Sequence, residues 1–231
     1  MKSSDIQEII GLYFKPHPWH GITPGPEAPQ KVQAYIEIVP TDAVKFEIDK
    51  PSGILRLDRP QRFSSFSPSL YGFVPRTYCG PKVAAYSGDR TARDGIVGDG
   101  DPLDICVLTE KTIMRGDFLV NALPIGGLRL LDQDQADDKI IAVLEGDVIF
   151  GGITDISGLQ EQWVERLVHY FLSYKDLPGE AARTRPRKVE CEAVFGRREA
   201  LKVIELSMED YRDRFGDPDR RLENLFKELS R

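Results

Sequence analysis

The sequence of 231 residues predicts an α+β fold, in which short strands form a small barrel or twisted sheet and helices pack around it. Two observations lead to this prediction. Apolar residues alternate with a period of two between residues 32 and 57, and further short apolar runs follow up to residue 143. After residue 158 the apolar residues recur at the spacing of amphipathic helices.

The first 30 residues precede the predicted strands. Residues 1–14 have the amphipathic pattern of a short helix, and five prolines then predict an irregular segment over residues 15–30. His17 and His20 flank Trp19 in this segment. We expect a loop docked by the Trp19 ring rather than a metal site, because no third ligand lies nearby in the sequence.

Three strands are predicted next, over Val32–Val39, Ala43–Ile48 and Ile54–Leu57. The Pro51-Ser52-Gly53 turn indicates that the second and third strands form a hairpin. One sheet face would carry the polar residues Glu37, Lys45, Glu47 and Arg59. Such a face is either solvated surface or the charged wall of a pocket inside a barrel.

The remaining chain divides into a loop-rich part, a strand-rich part and a helical part. Residues 60–98 are rich in Ser, Gly, Asp and Arg, and we expect loops there. The predicted strands that follow are Ile105–Leu108, Phe118–Ala122, Gly126–Leu131 and Ile140–Val143. The predicted helices cover residues 159–175, Arg197–Phe215 and a short segment that reaches Leu229, after a break at Gly216-Asp217-Pro218.

Composition excludes several classes of protein. The net charge of -6 argues against a nucleic-acid partner, because phosphate backbones require a basic face. The three cysteines lack CxxC spacing, which favours reduced thiols in the cytoplasm over disulfides or a zinc site. No apolar run approaches 18 residues and no signal-peptide pattern is found, so we expect no contact with a membrane.

An acidic turn feeds directly into the predicted strand Ile105–Leu108. Asp99, Asp101 and Asp104 lie within six residues, and like charges this close raise one another's pKa values. A divalent cation such as Mg²⁺ removes that conflict, since it prefers oxygen ligands and binds through carboxylates and phosphate oxygens. A solvated acidic turn is the alternative, but three carboxylates beside a buried strand favour a metal site.

A second acidic patch, residues 132–139, precedes the strand Ile140–Val143 in the same way. Asp132 and Asp137 are five residues apart, so a turn could bring both carboxylates to one cation. Taken alone, this patch would be interpreted as a solvated hairpin tip.

These residues together resemble the family I (soluble) inorganic pyrophosphatases. The family signature, Asp-x-Asp-Pro-x-Asp before an apolar strand, is matched by Asp99-Gly100-Asp101-Pro102-Leu103-Asp104. The resemblance covers roughly residues 17–177. It includes Tyr35-Ile36-Glu37-Ile38, Val44-Lys45-Phe46-Glu47-Ile48-Asp49-Lys50, Asp58-Arg59, Tyr71-Gly72-Phe73-Val74-Pro75, Asp137-Asp138-Lys139 and Tyr174-Lys175-Asp176-Leu177.

The resemblance implies an OB-like five-stranded β-barrel with helices packed outside and a long C-terminal helical tail. It implies one domain over residues 1–231, with an N-terminal extension (1–30) and the tail (178–231). It also implies that pyrophosphate is hydrolysed to two phosphates with several Mg²⁺ ions. Family members form dimers or hexamers, so we expect a homo-oligomer, and His169 lies where some members place an interface.

The family's functional residues can be carried over by position. Asp99, Asp104 and Asp137 resemble ligands of the metal pair that holds the attacking water, and Asp101 resembles the residue that takes the proton from that water. Asp132 resembles a ligand of the metal that arrives with substrate, and Glu47, with Glu37 through water, resembles the remaining cation site. The phosphate-binding groups are matched by Lys45, Arg59, Tyr71, Lys139, Tyr174 and Lys175.

The sequence departs from the family pattern in three places. Ser67-Pro68-Ser69-Leu70 replaces the usual aromatic residue, proline and asparagine, so a phenol and an amide near the phosphates are expected to be missing. The segment Thr77–Gly98 is longer than in compact bacterial members. Three roles are open for it: a lid, an oligomer contact or a bare surface loop. The tail beyond Lys175 is long and matches the family poorly.

Three other interpretations of the acidic turn are alternatives to the pyrophosphatase resemblance. In an EF-hand-like calcium loop, Asp99, Asp101 and Glu110 would fit positions one, three and twelve, but Asp104 occupies the sixth position, where glycine is required. A phosphotransferase with an aspartate nucleophile would not explain the charged residues of the strands. A nucleic-acid-binding OB barrel is opposed by the acidic charge.

Overall fold

The protein is described here by a computed structural model, which covers residues 14–61, 63, 65–175 and 189–229. The helix predicted over residues 1–14 therefore lies almost wholly outside the described residues, as does the start of the predicted tail. The strands, in chain order, are β1 (Val32–Ile38), β2 (Val44–Ile48), β3 (Leu55–Pro60), β4 (Leu70–Phe73), β5 (Val97–Gly98), β6 (Asp104–Leu108), β7 (Phe118–Asp132), β8 (Gln135–Ala136), β9 (Lys139–Leu144) and β10 (Val189–Gly196). The helices are α1 (Pro81–Thr91), α2 (Glu161–Ser173), α3 (Arg197–Phe215) and α4 (Pro218–Leu229).

Five strands close into a hydrogen-bonded ring, in the order β1, β4, β6, β9 and β7, with β7 returning to pair with β1. All pairs in the ring are antiparallel except β6–β9, in which Asp104 lies opposite Lys139. The predicted five-stranded barrel with helices packed outside is therefore confirmed, and so is the α+β class.

The uninterrupted apolar runs of the sequence reflect burial on both faces of the barrel wall. Along β6, Ile105 and Val107 belong to one buried cluster, whereas Cys106 and Leu108 belong to another. Helix α3 packs on the first cluster and α2 on the second. A strand covered on both sides has no polar face, which is why its sequence does not alternate.

The strand β7 differs from its prediction. We predicted two strands, Phe118–Ala122 and Gly126–Leu131, but a single strand of 15 residues forms. A register shift between Pro124 and Gly126 bends it. Its first half pairs with β1 and its second half with β10. The sequence break at Pro124 is thus a bulge rather than a loop.

Residues 60–98 are more regular than predicted, since they contain β4 and the helix α1. Of the three alternatives for Thr77–Gly98, the bare surface loop is therefore wrong, whereas a lid and an oligomer contact stay predictions. Helix α1 packs against α3, and the buried Asp210 carboxylate of α3 accepts hydrogen bonds from the backbone N–H groups of Gly80, Lys82 and Val83. Asp210 is at least 127 residues away in the sequence from the N–H groups that it accepts from, so the local sequence of α1 does not predict this acceptor.

Within the described residues the other predicted elements are confirmed, and the strands that were not predicted, besides β4, are β5, β8 and β10. The hairpin β2–β3 forms a separate two-stranded sheet, with Gly53 at a φ of +71° in its turn. Trp19 is buried and donates from Nε1 to the Thr77 carbonyl oxygen at 2.7 Å, so the docked loop is confirmed. Cys79, Cys106 and Cys191 are free. None of the described helices is long and apolar enough to cross a membrane.

Candidate active site

A cleft of about 220 Å³ collects the predicted site residues where the β2–β3 hairpin faces the barrel. Twelve of the thirteen line it; Arg59 does not. The lining residues among the predicted set are Glu37, Lys45, Glu47, Tyr71, Asp99, Asp101, Asp104, Asp132, Asp137, Lys139, Tyr174 and Lys175. Residues from separate strands and from the end of α2 therefore meet in one place, as predicted for a pocket wall rather than for solvated surface.

The backbone of the acidic turn is fixed from behind by Cys79. Gly100 adopts a φ of +77°, and the Asp101 N–H donates to the Asp99 Oδ1 at 2.9 Å. Cys79 donates its N–H to the Asp101 carbonyl oxygen at 2.8 Å and accepts from the Gly100 N–H at 3.1 Å. A Cβ on Gly98 would lie 2.1 Å from the Cys79 oxygen, so only glycine permits this approach. The turn is thus a rigid support for its carboxylates.

Lys139 lies between two carboxylates. Its ammonium group contacts both Asp104 and Asp137, because the parallel β6–β9 register places Asp104 beside Lys139. Its side chain is 4% exposed. Burial alone would lower the pKa of Lys139, but the charges of Asp104 and Asp137 outweigh it and raise that pKa well above its usual value. Lys139 is therefore a permanent cation in the cleft.

Other carboxyl groups in the cleft are destabilised as anions. Burial, reinforced by the nearby Asp137 charge, raises the pKa of Asp99 to about 8. Burial likewise raises the pKa of Asp137. It also raises the pKa of Glu37 to about 8, although Glu37 accepts a hydrogen bond from the Ile48 N–H at 2.7 Å. These groups require additional positive charge to be ionised together near neutral pH.

The hairpin provides a second wall of paired charges. Lys45 donates to Glu47 at 2.7 Å and lies 3.1 Å from Asp58. Arg59 is opposite Lys45 in the β2–β3 register, but its guanidinium donates to Asp58 at 3.0 Å and its side chain is 44% exposed. Of the predicted phosphate ligands, Arg59 is thus the one that the structure leaves outside the cleft.

Two phenols and a lysine complete the opposite side. The Tyr71 hydroxyl donates to Asp104 at 2.6 Å, and burial together with the Asp104 charge raises the pKa of Tyr71 well above its usual value. Tyr174 stacks on Tyr170, while Lys175 donates to Asp132 at 2.6 Å. Asp132 and Asp137 of the second acidic patch line the cleft, whereas Gln133 and Asp134 form the exposed tip of the β7–β8 hairpin.

Sequence reasoning missed Lys50, which lines the cleft and forms an ion pair with Asp101. Lys50 belongs to the stretch Val44–Lys50 that resembles the family, so the sequence could have indicated a role for it. Ser67 and Leu70, the residues that depart from the family pattern, are both buried and do not line the cleft. Ser67 donates to the Ser69 carbonyl oxygen at 2.8 Å.

The side chains of the cleft determine whether it can hold divalent cations. Among the described residues, no three His, Cys, Asp or Glu side chains converge as a closed metal centre, because lysines separate the carboxylates. Nevertheless, seven carboxyl groups and four lysines line the cleft. This excess of oxygen ligands, together with the raised pKa values of Asp99 and Asp137, fits hard divalent cations.

The secondary structure on either side of the acidic turn excludes the calcium-loop alternative. It is preceded by the short strand β5 and followed by the barrel strand β6. An EF-hand loop instead connects two helices.

The barrel carries a cleft in which carboxyl groups and lysines lie side by side, which defines a protein suited to binding cations and anionic ligands together. A family model described as inorganic pyrophosphatase matches residues 34–212. An inorganic pyrophosphatase of Chlamydia trachomatis is 52% identical over 195 residues, which cover 84% of this chain and 93% of that protein. A soluble inorganic pyrophosphatase of Zea mays is 33% identical, with 84% and 79% covered.

The fold agrees with these comparisons. The crystal structure of an inorganic pyrophosphatase from Thermus thermophilus matches with a TM-score of 0.69 and 25% identity, covering 86% of this chain and 99% of that one. The chain belongs to the inorganic pyrophosphatase family, and its activity is the hydrolysis of pyrophosphate. The match extends through most of α3, beyond the limit near residue 177 that the sequence alone indicated.

Proposed function

We propose that this cleft hydrolyses pyrophosphate to two phosphates with several Mg²⁺ ions held by its carboxylates. Asp99, Asp104 and Asp137 would hold the metal pair beside the attacking water, and Asp132 with Asp137 the ion that accompanies the substrate. Glu47, with Glu37 through water, would hold the remaining ion. The excess of carboxyl groups over lysines in the cleft supports this assignment.

The bound ions would neutralise substrate charge and lower the pKa of coordinated water, so that water can attack near neutral pH. Asp101 is the proposed general base that accepts the proton of that water. Its position at the mouth of the rigid turn supports this role, because its backbone is fixed by Cys79 while its carboxylate reaches the cleft.

The cations of the chain are proposed to bind the phosphates. Lys45, Lys139 and Lys175 supply point charges, and the phenol groups of Tyr71 and Tyr174 donate hydrogen bonds. Arg59 would join them by turning from Asp58 towards the substrate. A guanidinium can bind a phosphate with two parallel hydrogen bonds, which an ammonium group cannot.

We further propose that residues 1–231 form one pyrophosphatase domain that acts in the cytoplasm as a homo-oligomer, without nucleic-acid or membrane partners. The family match over residues 34–212 and the packing of α3 on the barrel support the single domain. The soluble plant relative supports the cytoplasmic setting, and the acidic net charge supports the absence of a nucleic-acid partner. The homo-oligomer follows from the resemblance to the family.

The test is phosphate release from pyrophosphate with Mg²⁺, comparing the wild type with Asp101→Asn and with Asp89→Asn. Loss of a general base is expected to lower kcat by a hundredfold or more, on the order typical of such residues. Asp89 is an exposed α1 residue outside the cleft, so the same carboxyl-to-amide change there is expected to leave kcat unchanged.

Full activity of Asp101→Asn would move the base to another residue. An acid-stable phosphoenzyme trapped during turnover would instead support the alternative in which an aspartate is the nucleophile.

A further inference from the structure

Among the residues that the structure describes, the largest side chain less than 2% exposed belongs to Arg129, on the barrel strand β7. Its guanidinium forms two parallel hydrogen bonds with Asp138, Nη2 to Oδ2 at 3.0 Å and Nε to Oδ1 at 3.3 Å. The third nitrogen, Nη1, donates to Glu199 of α3 at 2.7 Å. The rings of Phe195 and Tyr86 lie 5.0 and 5.3 Å from the charge. The Arg129–Asp138 ion pair is therefore fully buried, and Arg129 also connects the barrel wall to α3 through the partly exposed Glu199.

Asp138 is the residue between Asp137 and Lys139. The side chains of Asp137 and Lys139 enter the cleft and contact each other, whereas that of Asp138 is 2% exposed and binds Arg129. Because successive side chains of an extended segment point to opposite sides, the orientation of Asp138 sets the orientation of its two neighbours. The backbone is also tied here, since the Asp137 N–H donates to the Leu130 carbonyl oxygen at 2.9 Å.

Stability alone gives a weak reason for this pair. Removing two charges from water opposes much of their mutual attraction, and packed apolar residues of similar size are often equally stable. The Glu199 carboxylate of α3 also lies 3.6 Å from the Arg90 Nε, so it has a second cationic partner besides Arg129. What an apolar pair cannot supply is a directional, bidentate contact that holds Asp138 in one orientation.

We propose that Arg129 and Asp138 are positioning residues, which hold Asp137 and Lys139 in the geometry that binds metal and substrate. This inference rests on the roles of Asp137 and Lys139 given under Proposed function. Neither Arg129 nor Asp138 touches the cleft, so they act through the segment of residues 137–139. Helix α3 takes part through Glu199, which fixes the outer side of the guanidinium.

The decisive variant is the double substitution Arg129→Met with Asp138→Leu, which replaces the ion pair by apolar side chains of similar length. We expect an unfolding midpoint near that of the wild type, because no charge is left buried and unpaired. We also expect kcat to fall by about tenfold or more, and the Mg²⁺ concentration for half-maximal activity to rise by about tenfold, the usual scale for outer residues that orient metal ligands.

Arg129→Lys provides a second variant that keeps the charge but loses the bidentate fork. For it we expect the same changes in kcat and Mg²⁺ requirement, on the order of threefold. The matched control is Lys82→Met with Glu209→Leu, which removes an ion pair of 3.0 Å that joins α1 to α3 away from the cleft. Its kinetic constants are expected to equal those of the wild type.

Wild-type kcat and Mg²⁺ dependence in a folded double variant or in Arg129→Lys would overturn the inference. A lowered unfolding midpoint with unchanged kinetics would also overturn it, since that is a purely structural effect. Asp137→Asn assayed in parallel separates the two proposals. If it keeps the wild-type kcat and Mg²⁺ dependence, the proposed role of Asp137 fails, and if it loses activity while the Arg129 variants do not, only the positioning role fails.

Discussion

At the scale of single residues, the cleft is a set of charges held apart by oppositely charged neighbours. Lys139 separates Asp104 from Asp137, and Lys175 and Lys45 are bound to Asp132 and Glu47. Each ammonium group lowers the repulsion between carboxylates that water alone would not screen in a buried site. An entering phosphate would offer the lysines another partner and leave the carboxylate oxygens available to cations.

His20 provides a residue-scale prediction of pH-dependent stability. Burial, with the charges of His17 and Arg76, lowers the pKa of His20 from 6.5 to about 4, and its Nδ1 lies 2.8 Å from the Tyr211 hydroxyl. Because the unfolded chain binds the proton first, folding is weakened as the pH falls from about 6.5 towards 4. We expect a loss on the order of 1 kcal/mol, reduced by solvent screening of this half-buried ring.

The measurement is urea unfolding in EDTA at pH 7 and pH 4.5 for the wild type and His20→Asn. The variant is expected to lose less stability over this range than the wild type. His169 is an exposed histidine of α2, and His169→Asn is expected to behave as the wild type does. Equal losses in the wild type and His20→Asn would contradict the assignment.

At the scale of elements, helix α1 is stabilised by a carboxylate that α3 supplies. Asp210 is 3% exposed and lies 3.0–3.1 Å from the N–H groups of Gly80, Lys82 and Val83. These N–H groups lie at the N-terminus of α1, where backbone donors have no acceptor within the helix. A negative charge there also interacts favourably with the positive end of the helix dipole. Cys79, which holds the acidic turn, directly precedes the Gly80 N–H that donates to Asp210, so the two contacts are adjacent in the chain.

We therefore predict that Asp210→Ala lowers the free energy of unfolding by about 2–4 kcal/mol, since several buried N–H groups lose their acceptor. Asp210→Asn keeps one acceptor oxygen and is expected to cost about half as much. Both values are measurable by urea denaturation. The neighbouring, partly exposed Glu209→Ala serves as the control, and a cost for Asp210→Ala no larger than that of this control would show that the cap contributes little.

At the scale of the whole molecule, the balance of charge in the cleft makes folding and metal binding interdependent. The seven carboxyl groups are brought together only in the folded chain, so divalent cations bind the folded state in preference to the unfolded state. Any ligand with this preference stabilises the fold according to its concentration relative to its dissociation constant.

We predict that Mg²⁺ raises the unfolding free energy by about 2.7 kcal/mol at a concentration one hundred times its dissociation constant. The comparison is made in EDTA with KCl at matched ionic strength. Asp99→Asn is expected to be at least as stable as the wild type in EDTA, because burial disfavours the Asp99 anion, and to gain less from Mg²⁺. An equal gain in both proteins would remove Asp99 from the proposed ligands.

Much of the site could be predicted from the sequence because the active residues occur in short motifs with regular spacing. The turn of Asp99, Asp101 and Asp104 and the strand pattern around Lys45 and Glu47 are local features. The helices α3 and α4 could also be predicted from the sequence, since their apolar residues recur at helical spacing and Gly216 ends α3. Local chemistry determines these features before any long-range contact forms.

What the sequence alone determined is therefore the list of charged groups, the class of fold and the family signature. Tertiary structure decided the rest: that β7 is one bent strand, that α1 forms under Asp210, and that Arg59 turns away from the cleft. It also decided that Arg129 lies buried behind the site. Each of these depends on partners far away in the chain, and pairing across such distances is set by packing and register rather than by local propensity.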